Sequence, residues 1–401
     1  MINPLITRKN ALLFILLIGF SSFFVDMTHA GAKSIYGAYL NYIGASAAAI
    51  GFVSGLAQMT SNSLTLLTGY IVDKRKNYWT FTIAGYIFSL VAIPALALVP
   101  ANGWILACFF IVLERLGKAC WHPARITLIS FTASEVGSGK SFSIQSALNK
   151  FGACIGPLML FFILLFKSNV DLLVRYKICF AVLGIPAIIG LIFLLFAKKK
   201  FSHPENFDTS AATENSRIDT SVVFLLFCFG LAFFGLGFFD FPLITMHLAK
   251  MKIIDTEYLP LFFSGAMLVS TLSALFFGRL FDKMGVMILV ITTLFSSTFS
   301  MFVFGSNNLV LLVVGILIWG LGIGSLETIL KSVLTVLIAK RNRSKGVGVM
   351  NLFLGIALFF GSWISGILYD KSHAALIFFS FSMQFIAVIF FFICYRKLRK
   401  P

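Results

Sequence analysis

Apolar stretches long enough to cross a bilayer alternate with short polar segments along nearly the whole chain. Six lie near 11–32, 46–71, 79–99, 104–129, 142–166 and 176–197. A polar segment from Lys198 to Ser221 follows, carrying Lys198, Lys199, Lys200, Glu205, Asp208, Glu214 and Arg217. Six more apolar stretches lie near 221–247, 257–280, 285–304, 309–338, 347–369 and 373–395. Since about 20 apolar residues cross a hydrocarbon core as helix, the pattern predicts twelve transmembrane helices in two sets of six. The expected division is a bundle over 1–197, a linker over 198–220 and a second bundle over 221–401. Between apolar runs, Lys and Arg number about 20 on one side and about 7 on the other, which puts both termini and the linker in the cytoplasm.

The two halves repeat. Leu113 to Ala119 (LERLGKA) matches Leu326 to Ser332 (LETILKS), and Phe24 and Asp26 match Phe238 and Asp240. Gly69, Asp73 and Lys74 recur as Gly278, Asp282 and Lys283. The three offsets agree at about 209 to 214 residues, as parallel repeats require.

Composition closes off the soluble classes. The chain of 401 residues is 59% hydrophobic and 12% charged, with 47 Phe; its mean hydropathy is +0.96. Soluble domains carry about 25% charged residues. The net charge of +17 sits in loops between apolar runs, so it orients helices rather than binding nucleic acid. Cys108, Cys120, Cys154, Cys179, Cys228 and Cys394 fall within apolar runs, without metal-ligand spacing. Arg8, Lys9 and Ala30-Gly31-Ala32 imitate a signal peptide. The apolar stretch between them is long, carries Asp26 and is one of many, so it reads as the first helix. No G-x-x-x-x-G-K-[ST] loop is present, and with it goes the sign of an ATP-driven pump.

These motifs resemble the major facilitator superfamily along essentially the whole chain. Gly69, Asp73, Lys74 and Arg75 are similar to its signature between helices two and three, where a carboxylate and basic residues bridge helix ends. Asn77 and Tyr78 follow in place of the second glycine, whereas the other copy, Gly278 to Gly285 with Asp282 and Lys283, is fuller. Arg115 and Gly117 resemble the arginine–glycine part of the fourth-helix motif, linked in the family to proton coupling, with spacing one residue shorter. Gly152, Gly156 and Pro157 resemble the first part of a fifth-helix motif frequent in proton-exchanging exporters. Glu114 to Arg125 (ERLGKACWHPAR) is similar to a prokaryotic subgroup reading E-R-x-G-K-A-x-R-x-P-A-R-D, with Trp121 for its arginine and Ile126 for its aspartate.

The resemblance implies an all-α membrane protein of two six-helix bundles, with helices one, four, seven and ten around a central cavity. Alternating access would move a small solute across the bacterial cytoplasmic membrane, as a multi-pass monomer without cofactor or metal. Its partners would be that solute and the lipid bilayer. Export is slightly favoured by the fifth-helix motif.

Charges inside a bilayer are costly and usually face a cavity, so they are the candidate site. Helix one carries Asp26, His29, Lys33 and Tyr36 on a single stripe. Helix four carries Glu114, Lys118, His122 and Arg125 on another, with Arg115 about 100° away. Asp240 lies on helix seven; Glu327 and Lys331 lie on helix ten. Helix five adds Gln145, Asn149 and Lys150. Asp26 and Asp240 lead as proton-coupling carboxylates, with Arg115, Glu114 and Glu327 beside them. Lys118, Lys150, Lys331, His122, His29, Asn149 and Gln145 are candidates for the substrate.

Blander roles compete with these. Glu114–Lys118 and Glu327–Lys331 are i,i+4 pairs able to neutralise each other; Arg115 could pin helix packing. Lys33 and Arg125 could snorkel to the membrane surface. The slight cationic excess favours an organic anion or zwitterion over a lipophilic cation. Uptake of a nutrient or metal-chelate, and multidrug export, are rival transport readings. A membrane-embedded enzyme would need a catalytic cluster, and a sensor a signalling domain; neither is found in the sequence.

Overall fold

The computed structural model describes residues 8–167, 169–207, 222–337 and 343–399. The described residues are mostly helical, with no strand among them. The helices are α1 (Arg8–Tyr42), α2 (Ala47–Arg75), α3 (Tyr78–Ala95), α4 (Trp104–Ser130), the one-turn α5 (Ala133–Val136), α6 (Ser138–Phe166) and α7 (Leu172–Lys200). After the polar segment come α8 (Val222–Gly237), α9 (Phe241–Lys250), α10 (Leu259–Met284), α11 (Met287–Ser296), α12 (Phe299–Phe304), α13 (Leu309–Leu337), α14 (Arg343–Lys371) and α15 (His373–Arg399).

Ten spans among the described residues are long and apolar enough to cross a membrane. The helices α2 and α4 are not among them. For α4 the cause is its polar load: Glu114, Arg115, Lys118 and Arg125 interrupt an otherwise apolar rod. In α2 the run Gln58, Thr60, Ser61, Asn62 and Ser63 dilutes the hydropathy. The sequence pattern located both helices because their ends are sharply marked, although their middles are not apolar throughout.

Two apolar stretches expected to be continuous are broken. The stretch 221–247 divides into α8 and α9 at residues 238–240, and 285–304 divides into α11 and α12 at 297–298. At the first break Asp240 caps α9, its Oδ1 accepting from the Phe241 N–H at 3.0 Å, and Pro242 stands in the first turn. A break inside a membrane is tolerated where neighbours satisfy the freed backbone groups, and here they do. Gly237 carbonyl accepts from Ser380 Oγ at 2.7 Å and Gln384 Nε2 at 3.3 Å, and Phe239 carbonyl accepts from Trp319 Nε1 at 3.1 Å.

The chain forms two compact units. The first comprises residues 1–33 and 64–213, the second residues 34–63 and 214–401. In the first, α3 packs most extensively on α4 and next on α7. Gly85 and Gly117 make the α3–α4 approach possible: a Cβ on Gly85 would stand 2.5 Å from the Gly117 carbonyl oxygen, and one on Gly117 2.7 Å from that of Gly85. Along the edge of α1, Gly152 and Gly156 of α6 lie against the carbonyls of Phe23 and Met27. Phe14, Trp79, Phe201 and Phe207 close one end with edge and tilted ring contacts.

In the second unit α10 packs on α13, and α8 packs on α15 and α14. The end of α1 and the start of α2 belong to this unit. Gly51 and Gly55 of α2 lie against backbone at Ser362 and Phe359 of α14, and Gly366 lies against Ala47. Phe52 packs edge-on against Phe359 and Trp363, each at 5.4 Å. Asp370 Oδ2 accepts from the Ala48 N–H at 3.1 Å.

Candidate functional site

Helices α1 and α4 bring their polar stripes together inside the first unit. His29 Nδ1 lies 3.1 Å from Glu114 Oε1, and Arg115 Nε lies 3.2 Å from Glu114 Oε2. Glu114 is 2% exposed and Arg115 3%. Both contacts have ion-pair distances, but their angles fall outside hydrogen-bond geometry. Lys118, one turn along α4, lies within electrostatic reach of Asp26, Glu114, Arg115 and Lys33. A carboxylate held between an arginine and a histidine can stay ionised in a low-dielectric setting, and the histidine offers a second place for a proton.

This arrangement changes the expected pairing on α4. Glu114 is not given over to Lys118 as a self-contained i,i+4 pair; Arg115, the next residue, and the imidazole of His29 from another helix stand at contact distance from it. Snorkelling is corrected outright for Arg125, which is 3% exposed and stacks 4.2 Å over the Trp121 ring. Its Nε and Nη1 make no hydrogen bond. Trp121 gives Arg125 an aromatic face. His122 is half-buried, with its ring 5.8 Å from that of Trp121.

The other first-unit candidates line α6. Gln145 is buried, Asn149 and Lys150 are half-buried, and neither Gln145 Nε2 nor Asn149 Oδ1 has a hydrogen-bond partner. Pro157 lies inside the same helix. In the signature turn, Gly69 faces Pro123 of α4 across an ordinary van der Waals gap, while Lys74 and Arg75 are exposed. The side chains of Asp73, Asp282 and Lys331 lie outside the described residues.

In the second unit Asp240 is 7% exposed and serves the α9 cap. Glu327 is exposed on α13. Lys283 is also exposed, and Gly278 is half-buried near the end of α10. That helix ends at Gly285, which has φ 59 and ψ −142. Lys76, at the equivalent place in the first copy, takes φ 51. A positive φ therefore recurs at this place although the first copy lacks the glycine.

Sequence reading did not find Tyr86 and Ser89 of α3, which face this cluster. Their only local signal is hydroxyl groups inside a helix otherwise made for lipid.

The sequence profile of the Major Facilitator Superfamily matches residues 15–285 and 225–401. The chain belongs to this superfamily. It is 30% identical over 384 residues to an uncharacterized protein of Mycobacterium tuberculosis, covering 94% of this chain and 92% of that one. It is 34% identical over 191 residues to an uncharacterized MFS-type transporter of Methanocaldococcus jannaschii, 47% of this chain and 46% of that one. Among solved structures, the fold matches the nucleoside transporter NupG with a TM-score of 0.73 at 13% identity, covering 97% and 100% of the two chains. A bacterial homolog of the human lysosomal transporter Spinster gives 0.74 at 15%, covering 98% of each. A POT family transporter in complex with 5-aminolevulinic acid gives 0.73 at 15%, covering 96% of each. Family and fold alike are those of a multi-pass membrane transporter, not of an enzyme.

Proposed function

We propose that the protein is a proton-coupled secondary transporter of a small organic anion or zwitterion. It works by alternating access between bundles over 1–197 and 221–401, joined by the linker 198–220. Twelve spans with both ends in the cytoplasm belong to this reading, which the loop charges support. The observation that carries the reading is Glu114, buried between His29 and Arg115. Removing water from a carboxylate favours its protonated form and adjacent cations favour the ionised form. Such a group changes its proton occupancy when an anionic substrate engages Arg115 or Lys118. Asp26 of α1, within reach of Lys118, is the second carboxylate of the same cluster.

The cationic surplus of the first-unit cluster favours a substrate with a carboxylate. A zwitterion is consistent with the structural neighbour bound to 5-aminolevulinic acid. Export is favoured slightly by Gly152, Gly156 and Pro157 on α6. The test is a thermal-shift screen of purified protein against 5-aminolevulinic acid, dipeptides, nucleosides, dicarboxylates and tetraphenylphosphonium. A ligand at about 100 times its dissociation constant adds about 2.7 kcal/mol of stability. We expect an anion or zwitterion to stabilise the wild type, and Lys118→Gln to abolish that shift. Stabilisation by tetraphenylphosphonium alone would overturn the substrate class in favour of a multidrug exporter.

A further inference from the structure

Beside the Glu114 cluster lies a second feature, a small and partly open cavity. It has a volume of about 10 Å³ and is lined by His29, Thr28, Tyr86, Ser89 and Glu114, with Val25, Leu90, Ile93 and Ala187 as its apolar wall. One water molecule needs roughly this much space. The polar groups around it are unevenly served. Thr28 Oγ1 already donates within the backbone, to Phe24 and Leu183 carbonyls at 2.9 and 3.3 Å. The hydroxyls of Tyr86 and Ser89 make no hydrogen bond, although these residues are 2% and 6% exposed. Buried hydroxyls left in that condition are costly, and native interiors satisfy them with ordered water.

We infer that the cavity is a binding site for one water molecule, which links the Tyr86 and Ser89 hydroxyls of α3 to the Glu114 carboxyl group of α4. The fold holds the groups in place. The Gly85–Gly117 approach draws α3 onto α4 so closely that a Cβ on Gly117 would stand 3.0 Å from Ser89 Oγ. The Tyr86 ring is pinned edge-on against Trp121 at 5.4 Å. Spacing puts Tyr86, Ser89, Leu90 and Ile93 on one face of α3.

The chemistry explains why hydroxyls and water suit this place. A carboxylate only accepts hydrogen bonds, whereas a carboxylic acid also donates one. A fixed donor such as an amide would satisfy one state and orphan the other. Water, Tyr and Ser can each turn from donor to acceptor. With Glu114 ionised, the water donates to the carboxylate and accepts from a hydroxyl. With Glu114 protonated, the water accepts from the carboxyl O–H and donates to Ser89 or Tyr86. The proton stays on Glu114 and no bond to the water is made or broken. Tyr86 and Ser89 are thus positioning residues for the proton site, a role that rests on the proposed proton uptake by Glu114.

The test is infrared difference spectroscopy of the full-length protein in lipid bilayers, between acidic and alkaline pH, in H₂¹⁶O and H₂¹⁸O. A water O–H stretch that moves to lower wavenumber with the heavy isotope is expected in the wild type. It should be lost in Tyr86→Phe/Ser89→Ala, and again in Ala187→Val, which fills the cavity while leaving every polar group in place. No isotope-sensitive band in the wild type, or one that persists in both variants, would overturn the assignment. Glu114→Gln separates the two ideas: its spectrum should lose a carboxyl C=O band. If that band survives, the proton-site reading fails, and ordered-water density between Tyr86, Ser89 and residue 114 in a high-resolution structure then decides the water site alone.

Discussion

Lys76 and Gly285 hold equivalent places in the two repeats, and both turn the chain out of a helix with positive φ. Gly285, at φ 59 and ψ −142, lies near a region open essentially only to glycine. Gly285→Ala should therefore cost about 1–3 kcal/mol. Lys76→Gly should change stability by less than about 1 kcal/mol, because relief of strain is offset by the freedom glycine adds to the unfolded chain. Thermal unfolding in one detergent compares them; equal losses in both variants would contradict the difference in geometry. At Glu114 the expected energies are larger. Arg115→Leu strands a buried carboxylate and should cost about 3–5 kcal/mol. Adding Glu114→Gln to that variant should recover most of the loss, since a removed charge needs no partner. A double variant no more stable than Arg115→Leu would mean that Arg115 acts through packing instead.

At the scale of elements, periodicity and spanning length placed nearly every helix, because those signals are local. The break between α8 and α9 was not legible in the same way. Leu236 through Phe241 stays apolar except for Asp240, so the hydropathy runs on unbroken. What permits the break is the set Ser380, Gln384 and Trp319, supplied by helices far along the chain. The candidate site shows the same division. The stripes of α1 and α4 could be read from spacing, but Tyr86 and Ser89 gain meaning only when α3 closes on α4 through Gly85 and Gly117. The α9 cap yields a test of Asp240 that spacing alone did not suggest. Asparagine also caps well, whereas alanine costs about 1 kcal/mol. Asp240→Asn should thus keep thermal stability and proton-driven transport, and Asp240→Ala should lose stability by about that amount. Loss of proton coupling in a stable Asp240→Asn protein would place this carboxylate in the coupling site.

At the scale of the molecule, the repeat divides the chain at the polar segment, yet compactness groups residues 34–63 with the C-terminal half. The two divisions describe different things if the second repeat docks the hairpin of α1 and α2 in one stage of the cycle and frees it in another. Its seam suits such reversible docking. Small residues at Gly51, Gly55 and Gly366 give close backbone approach, with a ring cluster around Phe52 and a hydrogen bond at Asp370. Interfaces of this kind pack well without a long interlocked core, so they can part as rigid surfaces. Phe52→Cys with Trp363→Cys, in a protein whose six native cysteines are replaced, places a thiol on each side. Joining them with a short bis-maleimide should leave the protein folded and abolish net flux of whichever substrate the stability screen identifies. Each single-cysteine variant treated the same way should transport normally. Full flux from the cross-linked protein would show that residues 34–63 travel with the C-terminal half throughout, and the moving bodies would then be the two compact units rather than the two sequence repeats.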